Sequence, residues 1–471
     1  MVFSSHEFIF NFLPTEQGGW FGGAIAPPDS ERAHGSLTLI RRLHSETPVP
    51  PPVRRFLVIL IITAMRASVM GSKFALAIFI ARYLDLSSLG LYGLAAGAIA
   101  VVPVVVNIGM NHLVMRDAVT ASAAELTNSL RHYWGFVTSV YVVLLTLAVL
   151  LTIVFDASAL WILLIAVMLF EHIGYDVFYL FSNTQHHLSA NANAFLRGAA
   201  WILVYVPLAI WEPNLRTLSH LFGSWLAAGM LSFVAFVYLS WSWPWREAFS
   251  IPFKLSVVTA TIRKSFLFYV SDLSFVASQY LDRYLVTLFL GIKVAGSYFL
   301  FWTVANAATT FLGLVVQQQQ RPLLINAYSV GGLSAHCQLS WRFMQITALA
   351  TAALSIVIGF AFQILLPWLG QPSLADHLFA FWLIVAGMAF RCLADFGAMS
   401  LFTSHRDRLT TLTSVVSVGV LAIAQTILLP LAGLYGAGGA ILITFVGIML
   451  WRYRLLFGFS LASPESRHVG A

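Results

Sequence analysis

Arg66 and Lys73 stand seven residues apart inside "FLVILIITAMRASVMGSKFALAIFIARYL" (56–84), a run otherwise apolar enough to cross a membrane. A cation at a bilayer centre costs ~2.5–3.5 kcal/mol on insertion scales, so two on one helix need a polar counterpart. Seven residues make nearly two helical turns. Both charges therefore fall within about 20° on one stripe, continued by Met70 and Ala77 and bordered by Thr63. Such a stripe offers binding chemistry: a fixed cationic face for an anionic group.

Eight more charged side chains fall in apolar runs: Glu171, Asp176, Arg197, Asp272, Asp282, Arg283, Arg391 and Asp395. Charged groups inside membrane helices face the bundle interior, a wet cavity or each other. Asp272, Gln279 and Arg283 share one stripe at i, i+7 and i+11. Glu171 with Tyr175, and His172 with Asp176, occupy adjacent faces of another helix, and Asn193 and Arg197 stand four apart. Arg391 and Asp395, also four apart, suit an ion pair that serves packing. Asp282 and Arg283 lie near a helix end, where snorkelling or loop capping accounts for them. Arg66 and Lys73 have no acid on their own helix. Pairing with Asp272 and binding of an anionic substrate are the two readings open to them, and the second is preferred. The coupling-ion or charge-network candidates are Asp272, Glu171, Asp176, Asp282, Arg283 and Asp395, and the candidate cavity cations are Arg66, Lys73, Arg197 and Arg391.

The elements that carry these residues follow from composition. Of 471 residues, 59% are apolar and 10% charged, against roughly 25% charged in soluble domains. The chain reads as an all-α polytopic membrane protein. Twelve helices are predicted near 56–82, 88–113, 132–155, 159–181, 189–210, 217–240, 264–290, 295–316, 342–369, 377–402, 409–432 and 436–456. With the N-terminus in the cytoplasm, 18 of the 26 lysines and arginines fall inside, Arg452 among them. Only Arg82, Arg216 and Lys293 fall outside. That bias orients both termini inward, and it explains the net charge of +7 without nucleic acid.

Residues 1–53 read as a cytoplasmic tail of little fixed structure that ends in "PVPPP" (48–52). Residues 54–240 and 264–457 read as two six-helix lobes, 241–263 as a cytoplasmic linker and 458–471 as a cytoplasmic tail. The linker's "WSWPWREAF" (241–249) suits an interfacial anchor. His186 and His187 fall in a solvated loop, Cys337 in a loop and Cys392 in a helix, so neither a disulfide nor a zinc site is expected. Setting Gly90 on Gly296 puts Tyr92 on Tyr298 and Leu94 on Leu300, an offset of 206 that roughly superposes the first six helices on the last six. Two such repeats with a site between them suit a transporter. No nucleophile elbow, Walker loop or H-E-x-x-H zinc pattern is present, so the chain does not read as an enzyme. "GLYGAGGA" (433–440) suits close helix packing better than phosphate binding.

The segment "ARYLDLSSLGLYGLAAGAIAVVPVVVNIGMNHLVMRD" (81–117) resembles the start of polysaccharide transporters of the O-antigen flippase type. The matching residues are Arg82 and Leu84, Gly90 and Tyr92, and Gly109 with Arg116. "YLDRYLVTLFLGIKVAGSYFL" (280–300) is similar to that family's second-half motif, in Asp282, Arg283, Gly296 and Tyr298. The resemblance covers most of 54–457 in topology and is specific only near 80–117 and 280–322. It implies the multidrug/oligosaccharidyl-lipid/polysaccharide exporter superfamily, with two six-helix lobes forming a V around a central cavity and working by alternating access. It further implies an undecaprenyl-pyrophosphate-linked oligosaccharide as cargo, the bacterial inner membrane as location, and polysaccharide polymerase and chain-length machinery as partners. No cofactor is expected. A proton or sodium ion bound at Asp272 or Glu171 would drive the return. The rivals are a cation-coupled drug exporter of the same superfamily, a membrane glycan polymerase or ligase, and a non-transporting scaffold. Five buried cations disfavour a cationic drug, and short external loops disfavour the polymerase or ligase.

Overall fold

A computed structural model of the chain describes residues 52–119, 121–156 and 158–458. The expectations for most of the N-terminal tail, and for 459–471 with Arg467, lie outside the described residues. Helices account for nearly all of the rest, with no strand among the described residues.

The helices are α1 (Pro52–Tyr83), α2 (Leu86–Asn107), α3 (Met110–Asp117), α4 (Ala123–Phe155), α5 (Leu160–Asn183), α6 (His187–Trp211) and α7 (Leu218–Leu239). After the short α8 (Trp245–Ser250) come α9 (Leu255–Leu290), α10 (Ile292–Leu312), α11 (Gln318–Leu369), α12 (Pro372–Asp376), α13 (Leu378–Thr403) and α14 (Asp407–Gly458). Two long helices double back at glycines in left-handed φ: α11 at Gly332 (φ 65°) and α14 at Gly433 (φ 57°). Those reversals bring the membrane-length crossings to twelve, in two lobes. Among the described residues, the long α9 helix, which carries Asp272, Asp282 and Arg283, falls outside the strongly apolar set.

Local sequence sets the boundaries. Ser122 and Glu125 form a reciprocal capping box at the start of α4, the Glu125 carboxylate accepting from the Ser122 backbone N–H and hydroxyl. Asp85 accepts from the Ser88 N–H at 2.7 Å to start α2. Ile108 (φ 49°) and Gly109 (φ 74°) break the helix predicted over 88–113 into α2 and α3. A loop was expected around Cys337; the chain there is helical, and the thiol is buried within α11.

The first six crossings pack mainly through α5 on α6 and α7, the last six through α13 on α14 and α11. The most extensive contact between the halves is α2 on α10, and it has the two-fold form that the repeat implies. A Cβ on Gly90 would overlap the Ile292 carbonyl oxygen, and a Cβ on Gly296 would overlap that of Leu86. Leu86 and Ile292 are related by the same offset as the two glycines, so the backbones meet reciprocally at the aligned positions. Without side chains the helices approach to backbone contact, as small residues allow in membranes. In the "GLYGAGGA" turn, Gly436 lies against Leu428 and Gly438 against Leu383 and Ala380, the close packing expected there.

The halves touch elsewhere as well. At the end where α1 meets α2, Arg82 Nη1 donates to the Trp368 carbonyl and Gln371 Nε2 to that of Ala81 (3.1 Å). At the opposite end the Ser265 hydroxyl donates to the Ile108 carbonyl (2.8 Å), and a Cβ on Gly109 would lie 2.7 Å from Ser265 O.

Over-packing such a contact costs about 1–3 kcal/mol. Gly296→Ala is therefore expected to lower the melting temperature in detergent measurably, whereas Gly223→Ala, at a helical glycine with open space, leaves it unchanged. Equal melting of the two variants would contradict the seam.

Candidate functional site

The π-turn Leu196–Ala200 inside α6 carries Arg197. Its side chain passes Gly174, where any Cβ would strike the guanidinium stem, and reaches Glu171 on α5. Arg197 Nη1 pairs with Glu171 Oε2, and Trp225 Nε1 on α7 donates to Glu171 Oε1 at 2.7 Å. Both charges are almost fully buried. Three elements thus converge on one neutral pair, with Arg197 Nε unsatisfied among the described residues. Asn193, four residues before Arg197, turns elsewhere and donates to the Ser232 hydroxyl at 2.7 Å.

The α1 cations sit beside this pair. Lys73 lies within electrostatic range of both Glu171 and Arg197. Arg66, half-buried, donates from Nε to Asn191 Oδ1 on α6 at 2.8 Å. Asp272, the acid considered for them, instead meets His112 Nε2 on α3 at 2.6 Å and so links the halves. By the repeat offset, Asp272 is the symmetric counterpart of Arg66, and Gln279 of Lys73. The same stripe is therefore basic in one half and acidic or neutral in the other.

A second buried polar cluster lies between α4 and α5. Asp176 accepts from Trp134 Nε1 (3.0 Å) and from the Tyr133 hydroxyl (3.2 Å). His172 contacts Tyr133 (3.0 Å) and stands 3.8 Å from Asp176. This acid is enclosed within one lobe by neutral donors.

In the second half, Asp282 accepts from its neighbour's backbone N–H and from the Tyr298 hydroxyl. Arg283 lies among three rings, its Cζ 4.7 Å from Tyr280, 5.0 Å from Phe299 and 4.2 Å from Trp302. Both residues are buried, so the snorkelling and loop-cap reading of them does not hold. Arg391 and Asp395 come to 4.0 Å, the expected intrahelical pair in a loose form. Asp395 is shared with Arg452 at 3.9 Å.

Arg452 is the residue that sequence reasoning misplaced. Expected in the inward-facing C-terminal segment, it is buried on α14, where it donates to the Ala394 carbonyl (2.8 Å), Thr413 (3.0 Å) and Ser414 (3.0 Å). The available signal was its place inside the last predicted helix. Trp243 and Trp245 of the linker stack at 6.0 Å and pack against Phe236 and Trp134, while Trp241 is exposed. Among the described residues no His, Cys, Asp and Glu group has a metal-binding arrangement.

No protein-family profile matches the sequence, and no curated protein matches it. Solved structures do match. An inward-facing multidrug-resistance MATE family transporter of the MOP superfamily is 12% identical with a TM-score of 0.60, covering 83% of this chain and 95% of its own. The lipid II flippase MurJ in an inward closed conformation is 12% identical with a TM-score of 0.61, covering 86% and 93%. A MOP superfamily transporter from Pyrococcus furiosus, described as having a binding pocket of reversed polarity, has a TM-score of 0.55 at 12% identity, with 86% and 96% covered.

The fold is the one those transporters share. At such identities the likeness concerns architecture, about twelve helices in two lobes, and the side chains described above belong to this chain.

Removing one member of a buried pair strands the other and costs about 3–5 kcal/mol. Arg197→Met alone is expected to destabilise strongly, and Arg197→Met with Glu171→Gln to recover part of the loss. Additive losses in a thermal-melting double-mutant cycle would show the pair to be uncoupled.

Proposed function

We propose that the chain is a membrane transporter that moves a lipid-linked, pyrophosphate-bearing oligosaccharide from the cytoplasmic to the outer leaflet of a bacterial inner membrane. The observation that carries the reading is the unequal state of the buried charges. Glu171 pairs with Arg197 and Asp272 meets His112, while Lys73 brings a further cation beside the Glu171–Arg197 pair and Arg66 adds another on the same helix. A cationic stripe at membrane depth suits a headgroup with about two negative charges, whose polyprenyl tail can stay in lipid. The architecture shared with MurJ, described as a lipid II flippase, and with MATE transporters supports a carrier working between two lobes.

In this reading Lys73 and Arg66 receive the pyrophosphate, and Arg197 shapes the site through Glu171. Arg391, tied to Asp395, holds the second lobe together. The Tyr133–His172–Asp176 cluster and the His112–Asp272 link are the places where a coupling proton or sodium ion would act. Both termini and the linker lie in the cytoplasm, and the glycan's polymerase acts on the delivered product. A cationic-drug exporter fits less well, because Lys73, Arg66 and Arg283 repel a cation at low dielectric.

The test is glycan export in cells that depend on this chain. Arg66→Ala with Lys73→Ala is expected to abolish export at normal protein level, and Lys73→Arg to keep most of it. Undiminished export by the double variant would refute the reading.

A further inference from the structure

Arg283 is a buried cation that the function above leaves unassigned. Its side chain is about 5% exposed and lies against three rings, with no carboxylate within ion-pair distance among the described residues. The adjacent Asp282 is committed elsewhere, one oxygen to the Arg283 backbone N–H at 2.8 Å and the other to the Tyr298 hydroxyl. Arg283 Nε has no hydrogen-bond partner among the described residues, and neither does Trp302 Nε1, whose ring is 4.2 Å from the guanidinium carbon. Two buried N–H donors therefore stand side by side unsatisfied. Each costs on the order of 1–3 kcal/mol while it remains so.

The place of this pair in the fold matters as much as its chemistry. Phe299, one of the three rings, packs edge-on against Tyr92 at 5.8 Å and lies within 2.7 Å of where a Cβ on Gly93 would sit. Tyr284, next to Arg283, donates to the Leu94 carbonyl of α2 at 3.2 Å. The cluster thus lines the contact of α9 and α10 with α2, on the opposite half from Lys73. Ring faces stabilise a guanidinium without occupying its N–H groups, so Arg283 is held charged with donor capacity to spare. An oxyanion is the ligand that would use it: phosphate oxygens accept from guanidinium and indole N–H alike, whereas a cation or another donor would be repelled.

We propose that Arg283 and Trp302 form an oxyanion-binding station on the second lobe, at its contact with α2 of the first. The identity of the oxyanion as the cargo's pyrophosphate rests on the transport reading. A free inorganic anion has the same chemistry and would fill the same station. Two stations on opposite lobes would let one anionic group stay matched by a cation while the lobes move apart.

The experiment is isothermal titration of the purified full chain in nanodiscs with two probes, polyprenyl pyrophosphate and inorganic pyrophosphate. The variants are Arg283→Gln, Arg283→Lys, Trp302→Phe and Lys73→Ala. Loss of a charge-assisted hydrogen bond corresponds to roughly tenfold or more in affinity. Arg283→Gln is therefore expected to weaken binding at least tenfold, with partial recovery in Arg283→Lys and a smaller loss in Trp302→Phe. Tight binding of the lipid probe alone identifies the cargo headgroup as the ligand; equal binding of both probes identifies a free anion. Wild-type binding by a folded Arg283→Gln overturns the station. If Lys73→Ala then still loses binding, the transport reading survives without it, and if neither variant changes binding, both fall. Trp302→Phe keeps an aromatic ring beside Arg283 and removes the N–H. Should Arg283→Gln fail to fold, unchanged binding by Trp302→Phe overturns the station.

Discussion

The contact on which the rest depends is the meeting of two glycines. Gly90 on α2 and Gly296 on α10 let each helix place a carbonyl, Ile292's and Leu86's, where the other's side chain would be. In a bilayer, apolar side chains gain little by leaving lipid for protein, so helices associate through close van der Waals approach. The seam is reciprocal because the two positions are one position of the internal repeat. It sets the distance between the lobes and the spacing of everything lining their contact: Tyr92 and Gly93 on one side, Phe299, Trp302 and Arg283 on the other.

Charge at membrane depth is the second constraint, and the two halves answer it differently. The first lobe matches Glu171 with Arg197 through a π-turn and a gap at Gly174. It encloses Asp176 with neutral donors from Tyr133 and Trp134. In the second lobe, Asp395 is shared between Arg391 and Arg452, and Arg283 is surrounded by rings. Lys73 and Arg66 on α1, and ring-enclosed Arg283 on α9, add further positive charge to these sets. A carrier for an anion needs that surplus, and burying it without a ligand is costly enough that packing alone is a weak reason for it.

Much of this was legible in the sequence, and the limits have physical causes. Helix number followed from apolar length, and the glycine alignment from one short motif that the structure places face to face. The helix that carries Arg66 and Lys73 was legible, since that geometry is local. Partner choice was not local. Glu171 meets Arg197 where a π-turn interrupts α6, and no periodicity rule predicts that extra residue. Asp272 meets His112 because Ile108 and Gly109 break the predicted second helix, a break that apolar composition hides. Arg452 was read as inward-facing because it ends a helix, yet Thr413 and Ser414 on the returning half of α14 bury it. Seeing that pairing requires the reversal at Gly433.

The central claim is that the α1 cations select an anionic lipid-linked cargo. Its most direct measurement is translocation in proteoliposomes, comparing a polyprenyl-pyrophosphate oligosaccharide with the same oligosaccharide on an uncharged lipid carrier. The account predicts movement of the pyrophosphate form only, reduced to the protein-free rate when Arg66 and Lys73 are both alanine. Equal movement of the uncharged form, or full activity without those two cations, would contradict it.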